Sequence, residues 1–210
     1  YLFESFGANL HHIDVDEKGL DVAQLPDVTN AVAYVTPSHQ YPMGCTLPLD
    51  RRLELLAWAV KTDSYIVEDD YDSDFRYVGS PLAALKALDS ANRVFYVGTF
   101  SKCLGAGLRL GYVVVPPELM PAARRYKALT NNGQPWLEQA VLADFMNTGG
   151  MKVRYDGELS IAPQGARQSL VRFNIKVNSG SLTPLILVNV VAVLILAMMS
   201  GPGGGFVLLV

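Results

Sequence analysis

The 210-residue sequence predicts an α/β fold, with a mainly parallel β-sheet covered by helices on both faces. Two observations lead there. Half of the residues are apolar, and a chain of this length buries a sizeable core. Its short β-branched and aromatic runs are almost continuously apolar, as strands buried on both faces are, and they alternate with segments of helical period.

Tyr1–Gly7 reads as the end of a helix, and Ala31–Val35 is the first buried strand. Asp50 is the expected cap of the next helix, in which Leu53, Leu56, Ala57 and Val60 recur at i, i+3, i+4, i+7 and share one apolar face. Tyr65–Val67, Val94–Val97 and Tyr112–Val115 are the remaining strands. A second helix is expected from Pro135, with Leu137, Ala140, Val141 and Phe145 as its stripe and Gly149-Gly150 as its stop.

Charge and cysteine content narrow the function. Lys and Arg total 17 against 20 Asp and Glu, a net charge of −3, so the chain lacks the basic surplus of a nucleic-acid-binding domain. Two distant cysteines, Cys45 and Cys103, exclude a disulfide scaffold and a cysteine-rich zinc site, and they suit a reducing cytoplasm. The chain starts at Tyr1 with no secretory leader, and the expectation is a cytoplasmic fragment.

Composition divides the chain into residues 1–155, an ordinary α/β sequence, and residues 156–210, an aberrant tail with no assignable domain. Leu185–Met199 is apolar except for Asn189, yet its 15 residues fall short of a membrane span. Back-translated with permitted codons and moved by one base, Tyr155–Arg172 reads as a charged, helix-forming sequence. A frame displacement after Tyr155 is therefore expected, and the nucleotide sequence tests it.

Chemistry concentrates at two strand ends. Val94–Val97 runs into Gly98-Thr99-Phe100-Ser101-Lys102, a small-residue turn with two hydroxyls and a lysine. A partly desolvated lysine near positive charge has a lowered pKa and attacks an aldehyde to form an imine. Thr99, Ser101 and turn amides suit a phosphate dianion, and Arg109 can clamp the same phosphate. The bland alternative is a surface lysine in a polar turn.

Tyr65–Val67 runs into Glu68-Asp69-Asp70-Tyr71-Asp72-Ser73-Asp74. A buried carboxylate here keeps a facing pyridine nitrogen protonated, and the protonated ring withdraws electrons from a neighbouring carbanion. The competing reading is a calcium loop starting at Asp70, but Phe75 stands where Gly is required and no Glu follows at the twelfth position. His11-His12 near Asp14 and Asp16 is an exposed strand edge, since adjacent strand residues face opposite ways. Gly105-x-Gly107-x-x-x-Gly111 is no dinucleotide fingerprint, its third glycine being one residue late. Lysine, carboxylate, phenol, hydroxyls and arginine together form the set that pyridoxal phosphate requires.

Three ordered motifs carry a resemblance: Tyr34-Val35-Thr36-Pro37-Ser38-His39-Gln40-Tyr41-Pro42-Met43-Gly44, Glu68 to Phe75, and Gly98 to Lys102. Over residues 1–155 the chain resembles the effector domain of MocR-type regulators of the GntR superfamily. These join a winged-helix DNA-binding domain to a fold-type-I aminotransferase-like domain. The resemblance implies the large domain of that pyridoxal-phosphate-dependent fold, truncated at both ends. It implies Lys102 as the imine-forming lysine, Asp69 facing the pyridine nitrogen, Tyr71 on the phenolic oxygen, and Thr99, Ser101 and Arg109 on the phosphate. Class I and II aminotransferases carry Asn before the Pro of an N-P-x-G turn, whereas Tyr41 stands here, which favours the regulator branch. His39 and Gln40 are candidates for the pocket floor.

The same likeness implies sensing of an amino acid or amine by exchange at Lys102, a homodimer in the intact protein, and DNA contact only through a winged helix outside this chain. No membrane and no metal are expected. The alternative is a stand-alone aminotransferase passing an amino group to a keto acid. The winged helix, the early segment that stacks on the cofactor and the small domain are not recognisable, so this chain is not expected to transaminate alone.

Overall fold

The structure, a computed structural model, describes residues 2–5, 7–72, 82–101, 109–130, 136–147, 162–163, 169–170 and 207–209. Helix α1 (Leu2–Ser5) leads into β1 (Asn9–His11) and a small antiparallel hairpin, β2 (Val15–Asp16) with β3 (Gly19–Leu20). Then come β4 (Ala31–Val35), α2 (Leu49–Lys61), β5 (Tyr65–Asp70), α3 (Leu85–Leu88), β6 (Val94–Thr99) and β7 (Gly111–Val114). Helices α4 (Met120–Thr130) and α5 (Trp136–Asn147) follow, with short strands β8 (Ala162–Pro163), β9 (Ser169–Leu170) and β10 (Val207–Leu209).

Six strands form one sheet in the order β1-β10-β4-β5-β6-β7. The first five run parallel, and β7 closes the edge antiparallel to β6. The sheet is thus mainly parallel, as the apolar runs predict. From the tail, β10 occupies an internal position, pairing Val207 with Ala31 of β4 on one side and with Asn9 of β1 on the other.

Strand alternation sorts the core into two layers. On one face Val32, Val67, Phe95 and Val113 pack with Ala123 of α4, with Phe3 and Tyr34 against them. On the other Ala31, Ala33, Ile66 and Val94 pack with Leu55, Trp58 and Ala59 of α2 and with Leu85 of α3. Burying each such leucine stabilises the fold by about 1.5–3 kcal/mol. Among the described residues no helix is long and apolar enough to cross a membrane.

Several expected details are corrected. Asp50 lies inside the first turn of α2, where it complements the helix dipole; Pro48 is the cap, without a side-chain hydrogen bond. The buried face of α2 is Arg52, Leu55, Trp58 and Ala59, while Leu53 and Val60 are 51% and 52% exposed. Both sets have helical spacing, but hydropathy removes the one containing arginine from consideration. In α5, Leu142 is buried and Leu137 and Val141 are exposed, so the stripe read from sequence faces outward. Pro135 and Gly149-Gly150 lie outside the described residues.

One close approach decides two glycines. A Cβ on Gly98 would stand 2.6 Å from Tyr112 Cε1, and one on Gly111 would stand 2.9 Å from the Gly98 carbonyl oxygen. The β6–β7 register sets Tyr112 directly opposite Gly98.

Candidate functional site

Parallel strands end in a crevice at their carboxyl ends. Here β4 and β5 run side by side with Tyr34 opposite Val67, so Asp69, two residues on, shares the face of Tyr34. Glu68 and Asp70 point to the other face. A cavity of about 460 Å³ opens at these strand ends beside Asp69, within the range of small-molecule sites, roughly 300–1,000 Å³. Tyr34, Asp69 and Tyr71 line one side of it.

The Tyr34 hydroxyl donates to Asp69 Oδ2. Burial raises the Asp69 carboxyl above its ordinary pKa; the Tyr34 hydrogen bond opposes the rise and the Asp70 charge adds to it. Burial first, and then the same carboxylate, push the Tyr34 phenol up, so it stays a proton donor. Tyr71 is raised as well, first by burial and then by Asp72 and Asp69. The site therefore presents a carboxylate whose charge is costly until a cation or donor meets it.

Two further walls come from segments that α2 holds. The β2–β3 hairpin contributes Val15, Gly19 and Leu20. Arg51 grips it, donating to Asp16 Oδ1 and Oδ2 at 2.7 and 2.6 Å and to the Gly19 and Leu20 carbonyls at 3.1 Å. Gly19 has φ +92, and a Cβ there would meet Leu47 Cδ1 at 3.2 Å, so glycine lets the hairpin close on the cavity. The loop between β4 and α2 contributes Thr36, Pro37, Gln40, Tyr41 and Leu47. Its tip includes a cis Tyr41-Pro42 bond, and the Tyr41 and His39 rings stand edge-on to Tyr71 at 6.5 and 6.3 Å.

Of the residues predicted from sequence, Asp69 and Tyr71 meet at this cavity. Asp69 pairs with Val97 of β6, so Thr99, two residues further, lies on the Asp69 face at the same strand ends. Thr99 Oγ1 lies 3.0 Å from Ser101 Oγ and accepts from the Ser101 amide at 3.1 Å. This hydroxyl pair and Arg109, which is exposed in the left-handed region at φ 51, do not line the cavity. Lys102 lies outside the described residues. Gln40 does line the cavity, whereas His39 reaches it only through the Tyr71 ring contact.

Sequence reasoning assigned no role to Tyr34, and it marked the cavity-facing Tyr41 only as the residue standing where class I and II aminotransferases carry Asn. The available signal was the phenol near the end of a buried strand, which needs a polar partner on its own face. That partner is Asp69.

The donor set fits the ring of a pyridoxal-type cofactor. A half-buried carboxylate with a raised pKa gains most from a protonated ring nitrogen, and among the described residues no basic side chain lines the cavity to compete. Tyr71 supplies a phenol two residues away, and the Thr99–Ser101 pair supplies hydroxyls at the neighbouring strand end.

Comparison with known proteins agrees with this geometry. The pattern of the aminotransferase class I and II family matches residues 6–166. HTH-type transcriptional regulator YhdI of Bacillus subtilis is 43% identical over 148 residues, covering 70% of this chain and 32% of that protein. The probable rhizopine catabolism regulatory protein MocR of Rhizobium meliloti is 41% identical, covering 69% and 29%. Among solved structures, kynurenine aminotransferase of Pyrococcus horikoshii, determined in complex with PMP, is similar at 34% identity and a TM-score of 0.61, over 65% of this chain and 36% of that one. The chain spans about a third of the length of the regulators it matches. With a mainly parallel sheet, a carboxylate at its strand ends and a family match across three quarters of its length, the chain belongs to the aminotransferase class I and II family and is an aminotransferase-like domain similar to those of MocR-type HTH regulators.

Proposed function

We propose that this chain is the pyridoxal-phosphate-binding effector domain of a MocR-type regulator, sensing an amino acid or amine. The observation that carries the reading is the Asp69 carboxylate, half-buried at the cavity and held by Tyr34. Pyridoxal phosphate supplies an electrophilic aldehyde and an electron-withdrawing ring when bound. Asp69 would hold the ring nitrogen protonated, Tyr71 would donate to the phenolic oxygen, and Thr99, Ser101 and Arg109 would hold the phosphate. Lys102 would be the lysine that holds the cofactor at its aldehyde end, the end at which an amino acid or amine would be sensed.

Relatives that are HTH-type regulators favour sensing over steady turnover. The domain is accordingly proposed to act in the cytoplasm as a homodimer within a longer protein, with DNA bound by a separate winged helix. Residues 1–155 would carry this function. Titrating amino acids and amines into the loaded chain tests the reading. A saturable change in the cofactor's visible absorbance without sustained keto-acid consumption is expected. Sustained transamination would favour a stand-alone aminotransferase instead.

A further inference from the structure

Arg52 is fully buried on the inner face of α2. A guanidinium there is costly unless its donors are met. Its Nε donates to the Leu47 carbonyl at 2.8 Å, Nη2 to the Pro37 carbonyl at 2.8 Å, and Nη1 to the Ala83 carbonyl at 3.1 Å. Nη1 also lies 3.9 Å from Glu68 Oε1, and that carboxylate is equally buried.

The two carbonyls at 2.8 Å are the two ends of one loop. Pro37 and Leu47 close its neck, because the Leu47 amide donates to the Pro37 carbonyl at 2.9 Å. Within the loop, the Gln40 amide donates to Cys45 O at 2.8 Å and the Gly44 amide to Gln40 O at 2.6 Å. The loop carries Gln40 and Tyr41 to the cavity. Glu68 is the residue before Asp69 on β5 and accepts from the Leu85 and Lys86 amides at 2.8 and 2.9 Å. One guanidinium therefore ties the neck of the aromatic-bearing wall to the strand that carries the opposite carboxylate.

We propose that Arg52 is a positioning residue of the cofactor site: by clasping the Pro37–Leu47 neck to Glu68, it sets the separation of Tyr41 from Asp69 across the cavity. Arg52 itself touches no ligand in this account. The inference rests on the cofactor reading for its consequence, and on the hydrogen bonds alone for its geometry.

Two readouts on Arg52→Met and Arg52→Lys test it: amide hydrogen exchange of residues 38–47, and titration with pyridoxal phosphate followed by visible absorbance. In Arg52→Met the loop amides should exchange about tenfold faster or more, with β4 and β5 still protected, and cofactor affinity should fall about tenfold. Arg52→Lys, which keeps the charge and can reach one carbonyl, should recover part of both. Unchanged loop exchange in Arg52→Met overturns the proposal, and so does a loosened loop with undiminished affinity. If Arg52→Met does not fold, Arg52→Lys carries the comparison: faster loop exchange with weaker binding supports the clasp, and wild-type values in both overturn it. If wild type itself shows no cofactor absorbance, the cofactor reading fails and loop exchange alone judges Arg52, faster exchange supporting it and equal exchange refuting it.

Discussion

The Tyr34 phenol at the end of β4 donates its proton to Asp69 Oδ2 on β5, so a residue without an assigned role in the sequence holds the carboxylate that matters most to the site. The bond lowers the Asp69 pKa against a rise imposed by burial. Tyr34→Phe should therefore leave Asp69 protonated to higher pH. A neutral Asp69 no longer favours a protonated ring nitrogen, so the pH at which cofactor binding is lost on acidification should move upward. Absorbance titrations with pyridoxal phosphate between pH 5 and 8 measure this, with affinity at neutral pH falling roughly threefold to tenfold.

Glu68 gives the protein a pH-dependent stability of opposite habit to most carboxylates. Burial pushes its pKa up to about 7 from 4.5; the Lys86 and Leu85 amides and Arg52 oppose this, and Asp70 adds to it. The folded state thus binds a proton that the unfolded state has released between those two values. Its contribution is present below pH 4.5 and lost as pH rises through 7. The loss is on the order of 3 kcal/mol. Denaturant unfolding from pH 5 to 8 should show declining stability, and Glu68→Gln should flatten the decline while lowering stability overall.

Gly98 is predicted to resist any side chain. Alanine would drive its Cβ into Tyr112, 2.6 Å from Cε1, and should cost about 1–3 kcal/mol by denaturant unfolding. Removing the ring in Gly98→Ala/Tyr112→Ala should cost less than the two single changes summed. Additive losses would mean that the ring does not enforce the glycine.

The two faces of α2 separate the periodicity reading from the fold. Leu53→Lys and Val60→Lys should each change stability by no more than about 0.5 kcal/mol, whereas Leu55→Ala should cost about 2–5 kcal/mol. Thermal or denaturant unfolding of the three variants distinguishes the helix faces directly.

Much of the sheet was legible because parallel strands buried on both faces leave an unambiguous apolar signature. Ala31–Val35 coincides with β4, and the other strand runs lie within or overlap β5, β6 and β7. The α2 face was not legible, because hydropathy counts Arg52 as a surface residue while the structure buries its charge among three carbonyls and Glu68. Asp69 and Tyr71 were legible as polar groups clustered just past an apolar run. Tyr34, Tyr41 and the Arg52 clasp were not, since each acts through contacts more than ten residues away in sequence or through a loop conformation that no local pattern encodes.

Lys102 is proposed to bond the cofactor whose ring nitrogen would meet Asp69. Borohydride reduction of the chain equilibrated with pyridoxal phosphate, followed by peptide mass mapping, tests it most directly. The phosphopyridoxyl mass is expected on Lys102 at one per chain, with a fall to background labelling in Lys102→Ala. Labelling spread over surface lysines such as Lys18 and Lys61, undiminished in Lys102→Ala, would contradict it.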